Sequence, residues 1–304
     1  METLPSDQIT PQYILDEPSP LLIDTRRDQL PWLDPSKFME SGFLGSNTLK
    51  YILKDDPETL VRITRGGYIA GWQTDRQKLE KGFLHERHVL HREADILEGY
   101  SVAVLPFEVR FVQPSIRDLL VLAKEAKADD LHGVYVDNPN LNSGVDIYIK
   151  VPVVRGVDGR QITIDENTLG PLDATFGGLI NYYIDAYTEK RELLADITEP
   201  SQFVLGSIKD DTKMKLYMVD IDIESVVPAN DKPELDWLMS AVYEALRFPN
   251  PSELRLPKIE EAIHRADSEM GSLYPKGTDW LKKFLNHPNR QNLDYDDLDK
   301  LYSD

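Results

Sequence analysis

Two neighbouring stretches of alternating polar and apolar residues restrict the fold of this chain more than any other feature of its sequence. Thr48 to Lys54 and Thr59 to Thr64 both alternate, and Asp55-Asp56-Pro57 supplies turn-forming residues between them. A period of two places apolar side chains on one face of a strand, and a short turn lets two such strands pair. The pattern therefore predicts a β-hairpin.

A segment without proline follows this hairpin and has the periodicity of a helix. Within residues 76 to 98, apolar side chains recur at helical spacing, which predicts a helix beside the hairpin. Residues 101 to 112 are strand-like, and residues 115 to 128 have a helical pattern with Ser115 as N-cap. The apolar stripe of the first helix comprises Leu79, Phe83, Leu90, Ala94 and Leu97.

The second half of the chain begins with a strand and becomes mainly helical. Residues 145 to 154 alternate as a strand, and residues 172 to 194 have the pattern of a long helix. The Gly177-Gly178 pair inside this helix indicates close packing or a helix start. A second hairpin is predicted from strands at 202 to 205 and 215 to 219, and further helices at 233 to 246, 256 to 270 and 279 to 285, before an acidic tail.

Length and charge limit the classes of function. A chain of 304 residues is long enough for two lobes or domains. The 53 acidic residues outnumber the 34 basic ones, and the resulting net charge of -19 repels polyanions. We therefore expect no nucleic-acid or membrane partner, and the N-terminal sequence, which lacks the pattern of a secretory signal, indicates a cytoplasmic protein.

The absence of cysteine limits the chemistry. Without cysteine the chain has no disulfide, no thiolate nucleophile and no thiolate-bound metal, so a metal must be held by oxygen or imidazole. Hard cations such as magnesium fit this ligand set best.

Five short segments have residues suited to nucleotide or metal chemistry. Gly42-Phe43-Leu44-Gly45-Ser46-Asn47 has small residues, whose backbone amides a phosphate can approach, and precedes the first predicted hairpin. Arg62 lies on a strand of that hairpin, and Glu93 lies on the helix that follows. The run from Leu193 to Val204 contains Asp196 and Gln202, and Tyr217-Met218-Val219-Asp220-Ile221-Asp222 ends the second hairpin in carboxylates.

The order of these elements and motifs resembles the protein-kinase-like fold, nearest to its aminoglycoside and choline phosphotransferase branch. The resemblance spans about residues 42 to 250. It implies an α+β fold of two lobes, a small β-rich N-lobe and a mainly helical C-lobe. It divides the chain into an irregular N-terminal arm (1–41), an N-lobe (42–155) and a C-lobe with an acidic tail (156–304).

The resemblance also implies a role for each motif residue. Gly42, Gly45 and Ser46 would cover the phosphates of ATP, and Arg62 would pair with Glu93 and position the nucleotide. Asp196 would be the catalytic residue that accepts or orients the acceptor hydroxyl proton. The ligands of magnesium would be Gln202, Asp220 and Asp222.

This chain departs from the family pattern at the loop that contains Asp196. In place of the HGDLHPGN form, alanine precedes the aspartate, the histidine is absent, and Gln202 replaces the asparagine one position later. The sequence therefore leaves two kinase-like functions open. One is a phosphotransferase that acts on a small hydroxylated molecule or a protein, and the other is an inactive pseudokinase that binds a protein, such as a basic one.

A third function is a metal-dependent glycosyltransferase, because Asp220-Ile221-Asp222 is also a DxD motif after an apolar strand. That class of enzyme needs a nucleotide-sugar half-domain of alternating strands and helices, which the sequence pattern does not show.

Overall fold

The structure, a computed structural model, divides into two compact units. It describes residues 30–40, 49–65, 76–112, 146–163, 165–195, 197–220, 226–228, 236–247, 256–273, 283, 286–288 and 300. The first unit is Met1–His88 with Pro106–Val153, and the second is Val89–Leu105 with Val154–Asp304. The predicted helices at 115 to 128 and, for the most part, 279 to 285 lie outside the described residues, as does most of the acidic tail.

The regular elements follow one another in the predicted general order. The N-terminal part comprises β1 (Phe38–Glu40), β2 (Leu49–Leu53), β3 (Asp56–Arg65), α1 (Arg76–Gly99), β4 (Ala103–Val104), β5 (Glu108–Val112) and β6 (Asp146–Pro152). The C-terminal part comprises β7 (Arg155–Asp158), α2 (Glu166–Glu189), β8 (Glu192–Leu194), β9 (Phe203–Ile208), β10 (Asp211–Met218), β11 (Val226–Pro228), α3 (Asp236–Arg247) and α4 (Pro257–Leu273).

The first unit is built on a five-stranded sheet in the order β1-β2-β3-β6-β5, in which every neighbouring pair is antiparallel. The predicted hairpin is its β2–β3 pair, with Tyr51 opposite Val61. Apolar side chains from these strands pack with residues of the segment before β1. This core comprises Trp32, Leu33, Phe38, Tyr51, Val61, Ile63, Val112 and Tyr148.

Residues 30–40 differ from the irregular arm that their prolines predict. Two short 3-10 turns, Pro31–Leu33 and Pro35–Lys37, lead into β1, which pairs with β2. Each proline begins a turn, where its missing N–H removes no intrahelical bond. Asp34 caps the second turn by accepting the N–H of Ser36 over 3.0 Å.

The strand predicted at 101 to 112 is two strands in two different sheets. β5 pairs antiparallel with β6 in the first unit, whereas β4 pairs in parallel with β10 in the second. Pro106 lies between the two strands and cannot donate to a sheet. Among the described strands, β4 and β10 are the one parallel pair, so the alternating half-domain of a DxD glycosyltransferase is not seen there.

The second unit combines helices with a four-stranded sheet in the order β4-β10-β9-β7 and the two-stranded sheet β11-β8. Its central helix, α2, runs from Glu166 to Glu189 and so begins and ends earlier than predicted. A capping box of Asp165 and Thr168 fixes its start, and Lys190 ends it in the left-handed conformation with φ 54°. The predicted stripe is buried: Leu179, Ile180, Tyr183, Ile184 and Tyr187.

The glycine pair of α2 marks close packing. A Cβ added at Gly177 would lie 2.8 Å from the carbonyl carbon of Lys258 in α4. A Cβ added at Gly178 would lie 2.1 Å from the carbonyl oxygen of Tyr100. Of the two readings of this pair, close packing is therefore confirmed.

The α+β class is confirmed, because the described N-terminal region is rich in β-sheet and the described C-terminal region is mainly helical. No helix within the described part of the chain has the length and apolar character needed to cross a membrane.

Candidate functional site

Arg62 lies on β3, the middle strand of the five-stranded sheet. It is opposite Lys50 on β2 and Ile149 on β6. Arg62 is only 3% exposed, and its neighbours Val61 (0%) and Ile63 (1%) are buried as well. This is not the solvent-facing arginine of an alternating strand, because the sheet is covered on both faces at this point.

The predicted phosphate-covering residues Gly42, Gly45 and Ser46 lie outside the described residues. The segment that contains them connects β1 to β2, and these strands pair with Glu40 opposite Tyr51. The sequence did not predict β1. The structure shows this strand on the N-terminal side of the segment, so the segment connects two paired strands. The role of the three residues stays a prediction.

Glu93 is fully buried, with 0% exposure, in the second unit. Its Oε1 accepts the Nε–H of Arg92 over 2.9 Å, and its Oε2 accepts the hydroxyl of Tyr182 over 2.8 Å. Arg191 also forms an ion pair with Oε2. Arg62 belongs to the other unit, and its pairing with Glu93 stays a prediction.

Tyr182 connects this carboxylate to the backbone of β8. Its hydroxyl oxygen accepts the N–H of Leu194 over 2.8 Å while the hydroxyl donates to Glu93. The neighbouring Tyr183 donates to the carbonyl oxygen of Leu194, also over 2.8 Å. Burial first, and then the charge of Glu93, raises the pKa of Tyr182, which keeps its hydroxyl protonated and able to donate.

Arg191 balances the buried charge of Glu93. Its guanidinium carbon lies 4.8 Å from the centre of the Tyr182 ring, close enough for a cation–π contact. Burial lowers the pKa of Arg191. The charges of Glu93 and Tyr182 and the hydrogen bonds to both raise it by a larger amount, so the pKa is raised overall. The arginine therefore stays charged beside the carboxylate.

Asp196, the predicted catalytic residue, lies outside the described residues, whereas the positions on either side of it are described. Ala195 and Ile197 are buried, with 4% and 1% exposure. The Thr198 hydroxyl forms a buried hydrogen bond of 2.7 Å with the Ser240 hydroxyl on α3. The chain is thus anchored before and after Asp196.

Gln202 and Asp220 lie at neighbouring strand ends. β9 and β10 pair with Phe203 opposite Met218, and the pairing continues one step further, where the N–H of Val219 donates to the carbonyl oxygen of Gln202 over 2.8 Å. Asp220 follows directly and is half-buried. Gln202 is therefore paired with Val219, the residue before Asp220, and the role of both predicted ligands stays a prediction. The third predicted ligand, Asp222, lies outside the described residues.

The side chain of Gln202 already has a local role. It is 5% exposed, and its Oε1 accepts the N–H of Glu199 over 3.0 Å in the turn before β9. A glutamine side chain that is bonded to its own turn in this way differs from one that is held open for a metal.

Two acid-containing segments are tied together at both ends. β8 and β11 are antiparallel, with Leu194 opposite Val226, so the chain leaves β8 where it enters β11. At their other ends the segments meet at the bond between Gln202 and Val219. Residues 195–201 contain Asp196, and residues 220–225 contain Asp220 and Asp222.

These segments contain the acids with which this unit could hold a divalent cation. Carboxylate oxygens are the preferred ligands of magnesium, which usually takes one or two of them and completes its shell with water and phosphate. Among the described residues, no group of three or more histidines or acids converges on one point. Asp220 therefore belongs to no such group among the described residues, and Asp196 and Asp222 lie outside them.

A cleft elsewhere in the second unit is not this site. It has a volume of about 550 Å³ and is lined by parts of α1, β4, α2 and β10, including Glu98, Ser101, Thr175 and Tyr217. None of the predicted site residues that the structure describes lines it.

Tyr182 and Arg191 are the residues that the sequence interpretation missed. The predicted stripe of α2 included Tyr183 but not Tyr182, although both are fully buried. A buried tyrosine needs a partner for its hydroxyl, so two successive tyrosines on a buried helix indicate polar partners nearby. Nothing in the spacing of the chain identifies Glu93 as that partner.

Comparison with solved structures gives a distant likeness to a small-molecule kinase. No family model and no curated protein matches this chain. Among solved structures, it is similar to one described as "Amicoumacin kinase hAmiN in complex with AMP-PNP, Ca2+ and Ami". The two are 9% identical, the match covers 92% of this chain and 94% of that chain, and the TM-score is 0.37. At that TM-score two chains need not share a fold.

Proposed function

We propose that this chain is a kinase-like protein that binds ATP with magnesium and transfers the γ-phosphoryl group to a small hydroxylated molecule. The observation that carries the proposal is the joining of the two acid-containing segments, 195–201 and 220–225, at both ends. Phosphoryl transfer needs a group on the acceptor hydroxyl and carboxylates on a metal beside it. Asp196 and the pair Asp220 and Asp222 supply residues of these two types.

In this proposal each group has one task. Asp220 and Asp222 would hold the divalent cation, with Gln202 as a further ligand. The cation supplies charge neutralisation for the phosphate oxygens. Arg62 and Glu93 belong to the nucleotide site, and Gly42, Gly45 and Ser46 cover the phosphates.

The transfer step is a simple displacement. The acceptor oxygen forms a bond to the γ-phosphorus while the bond between that phosphorus and the β,γ-bridging oxygen breaks, and ADP leaves with the electron pair. The acceptor proton passes to Asp196, which is the only role in the step that needs a base. A protein acceptor would use the same chemistry with a serine, threonine or tyrosine hydroxyl.

One observation favours the pseudokinase as the second candidate. Gln202 Oε1 is engaged by the N–H of Glu199, and this turn replaces the asparagine that the family places near the metal. A structural role for Gln202 leaves the cation with fewer protein ligands. Such a protein would bind nucleotide or a protein partner without turnover.

A thermal-shift titration tests the nucleotide site. A ligand that binds only the folded protein at a hundred times its Kd raises the free energy of unfolding by about 2.7 kcal/mol. We expect ATP with magnesium to raise the Tm of the wild type, ATP with chelator to raise it much less, and Asp220→Asn to abolish the metal-dependent part.

Asp210→Asn is the matched control, because Asp210 is exposed in the turn at the opposite end of the same hairpin. Both variants lose one negative charge, so a change that follows charge alone appears in both. No metal-dependent shift in the wild type, or an unchanged shift in Asp220→Asn, would remove Asp220 from the site and the proposal with it.

A further inference from the structure

A buried chain of hydrogen bonds links helix α1 to the strand that precedes Asp196. Oε2 of Glu93 accepts the Tyr182 hydroxyl over 2.8 Å, and the oxygen of that hydroxyl accepts the N–H of Leu194 over 2.8 Å. Leu194 is the last residue of β8. A single phenol oxygen thus joins a carboxylate on α1 to the backbone at the start of the segment that contains Asp196.

The charge of Glu93 sets the direction of these bonds. An ionised carboxylate can only accept, so Tyr182 has to donate to it, and this leaves a lone pair of the phenol for the N–H of Leu194. Arg191 and Arg92 both pair with Glu93, which supports the charged state of a side chain with 0% exposure. A neutral hydrogen-bonding partner would not impose this direction.

The backbone of Leu194 is held on both sides by the same helix. Tyr182 accepts its N–H, and Tyr183 donates to its carbonyl oxygen over 2.8 Å. Side chains therefore hold both polar groups of the residue at which the chain leaves β8. The next described anchor after Asp196 is Thr198, which bonds to Ser240. Asp196 lies between these two anchors.

We propose that Tyr182 and Glu93 are positioning residues that fix the segment containing Asp196, with Glu93 acting through Tyr182. The proposal rests on the proposed function for the task of Asp196. It gives Glu93 a role in the second unit that does not require contact with nucleotide. Misplacement of a catalytic group by about 1 Å costs on the order of a hundredfold in rate, so a residue that fixes its position has a large effect on turnover.

Tyr182→Phe is the informative variant because it removes only the bridging oxygen and keeps the buried ring. Tyr100→Phe is the matched control: the Tyr100 hydroxyl also donates to a carboxylate on α2, that of Asp185, but it has no bond to β8. Both variants lose one tyrosine-to-carboxylate hydrogen bond. Only Tyr182→Phe also loses the acceptor for the N–H of Leu194.

Hydrogen exchange of the full-length protein is the primary measurement, because it does not require turnover. We expect peptides that span residues 190–199 to exchange about tenfold faster in Tyr182→Phe than in the wild type, and to be unchanged in Tyr100→Phe. Unchanged exchange in Tyr182→Phe, or an equal increase in the two variants, overturns the proposal.

Steady-state hydrolysis of ATP, with water as acceptor, is the second measurement. We expect Tyr182→Phe to lower kcat by about tenfold to a hundredfold, with the KM for magnesium-ATP within about twofold of the wild type. A raised KM with unchanged kcat overturns the proposal, since it shows that the Tyr182 hydroxyl affects the affinity for nucleotide and not the segment that contains Asp196. Glu93→Gln, which keeps an acceptor for Tyr182, should retain more kcat than Glu93→Ala.

The two measurements distinguish failure of the proposed function from failure of the positioning role. Wild-type protein that neither binds nor hydrolyses magnesium-ATP overturns the proposed function, while exchange in Tyr182→Phe still decides whether this network holds the segment. Turnover that is abolished by Asp196→Ala but unaffected by Tyr182→Phe supports the proposed function and overturns the positioning role.

Discussion

Asp173 on α2 caps the N-terminus of α4 by accepting the backbone N–H of Ile259 at Oδ1 over 2.9 Å. Its Oδ2 accepts the next N–H towards the N-terminus, that of Lys258, over 3.1 Å. The carboxylate is 6% exposed and belongs to a helix far away in the sequence, so this cap exists only when α2 and α4 are packed together. It couples the start of one helix to the tertiary structure.

Removal of this cap should destabilise the second unit. We expect Asp173→Ala to lower the free energy of unfolding by about 1 to 2 kcal/mol, because two N–H groups lose their acceptor and the helix dipole loses its counter-charge. Urea denaturation measures the change. Glu260→Gln, which removes an exposed charge in the first turn of α4, is the control and should lower the free energy of unfolding much less. An equal loss of stability in the two variants would show that the effect comes from charge alone.

A pair of glycine substitutions in α2 tests the packing of that helix. Gly178→Ala should destabilise the protein by about 1 to 3 kcal/mol, because its Cβ would lie 2.1 Å from the carbonyl oxygen of Tyr100 and the backbone has to shift. A Cβ at Gly170 meets nothing within 4 Å beyond its chain neighbours, but Pro171 follows it and opposes the usual gain in helix propensity, so Gly170→Ala should change stability by less than about 0.5 kcal/mol. A loss of stability confined to Gly178→Ala in thermal or urea denaturation would confirm the packing, and two equal losses would contradict it.

Tyr100 should make stability depend on pH in the alkaline range. Burial first, and then the hydrogen bond to Asp185, raises the pKa of Tyr100 to about 12 from about 10, while the charges of Arg191 and Arg265 lower it. The folded state therefore binds this proton more tightly than the unfolded state. This contribution to stability is complete below a pH of about 10 and is lost as the pH rises through about 12.

The difference between wild type and Tyr100→Phe isolates this group from other titrating residues. We expect the free energy of unfolding of the wild type to fall more steeply between pH values of about 10 and 12 than that of the variant. Urea denaturation at a series of pH values gives the two slopes, and ultraviolet absorbance of the phenolate reports the titration directly. Parallel slopes would show that Tyr100 has the same pKa in both states.

Local pattern was sufficient to predict most of the described elements of the fold. The β2–β3 hairpin, α1, β6 and the β9–β10 hairpin all follow from the periodicity of their own residues. β1 could not be found in this way, because it is a strand of three residues whose partner, β2, fixes it from outside. The same holds for β4, which has two residues and is defined by its pairing with β10.

Only the parts of the candidate site that depend on local sequence could be predicted. The bond between Gln202 and Val219, the residue before Asp220, comes from the register of one hairpin, which sequence can indicate. The bonds from Glu93 to Tyr182 and from Tyr182 to Leu194 depend on how α1, α2 and β8 pack together. No spacing in the sequence encodes that packing, so the sequence gives Tyr182 no role, while the pairing of Glu93 with Arg62 stays a prediction.

Substitution of Asp196 distinguishes a phosphotransferase from a pseudokinase. If Asp196 accepts the proton of the acceptor hydroxyl, Asp196→Ala should lower kcat by about a hundredfold to ten-thousandfold and leave the affinity for magnesium-ATP within about twofold. Phosphoryl transfer is measured over a panel of small hydroxylated acceptors and proteins, and nucleotide affinity by calorimetry. Asp210→Ala, in the exposed turn between β9 and β10, controls for the loss of one carboxylate.

The pattern of results assigns the function, because Asp196 acts on the incoming hydroxyl and not on the nucleotide. Wild-type turnover that Asp196→Ala does not affect would contradict the catalytic role. Clear binding of magnesium-ATP without turnover on any acceptor would identify a pseudokinase, in agreement with Ala195 beside the aspartate and with the engagement of Gln202 Oε1 by the N–H of Glu199. Loss of nucleotide affinity in Asp196→Ala would instead place this carboxylate on the metal, with Asp220.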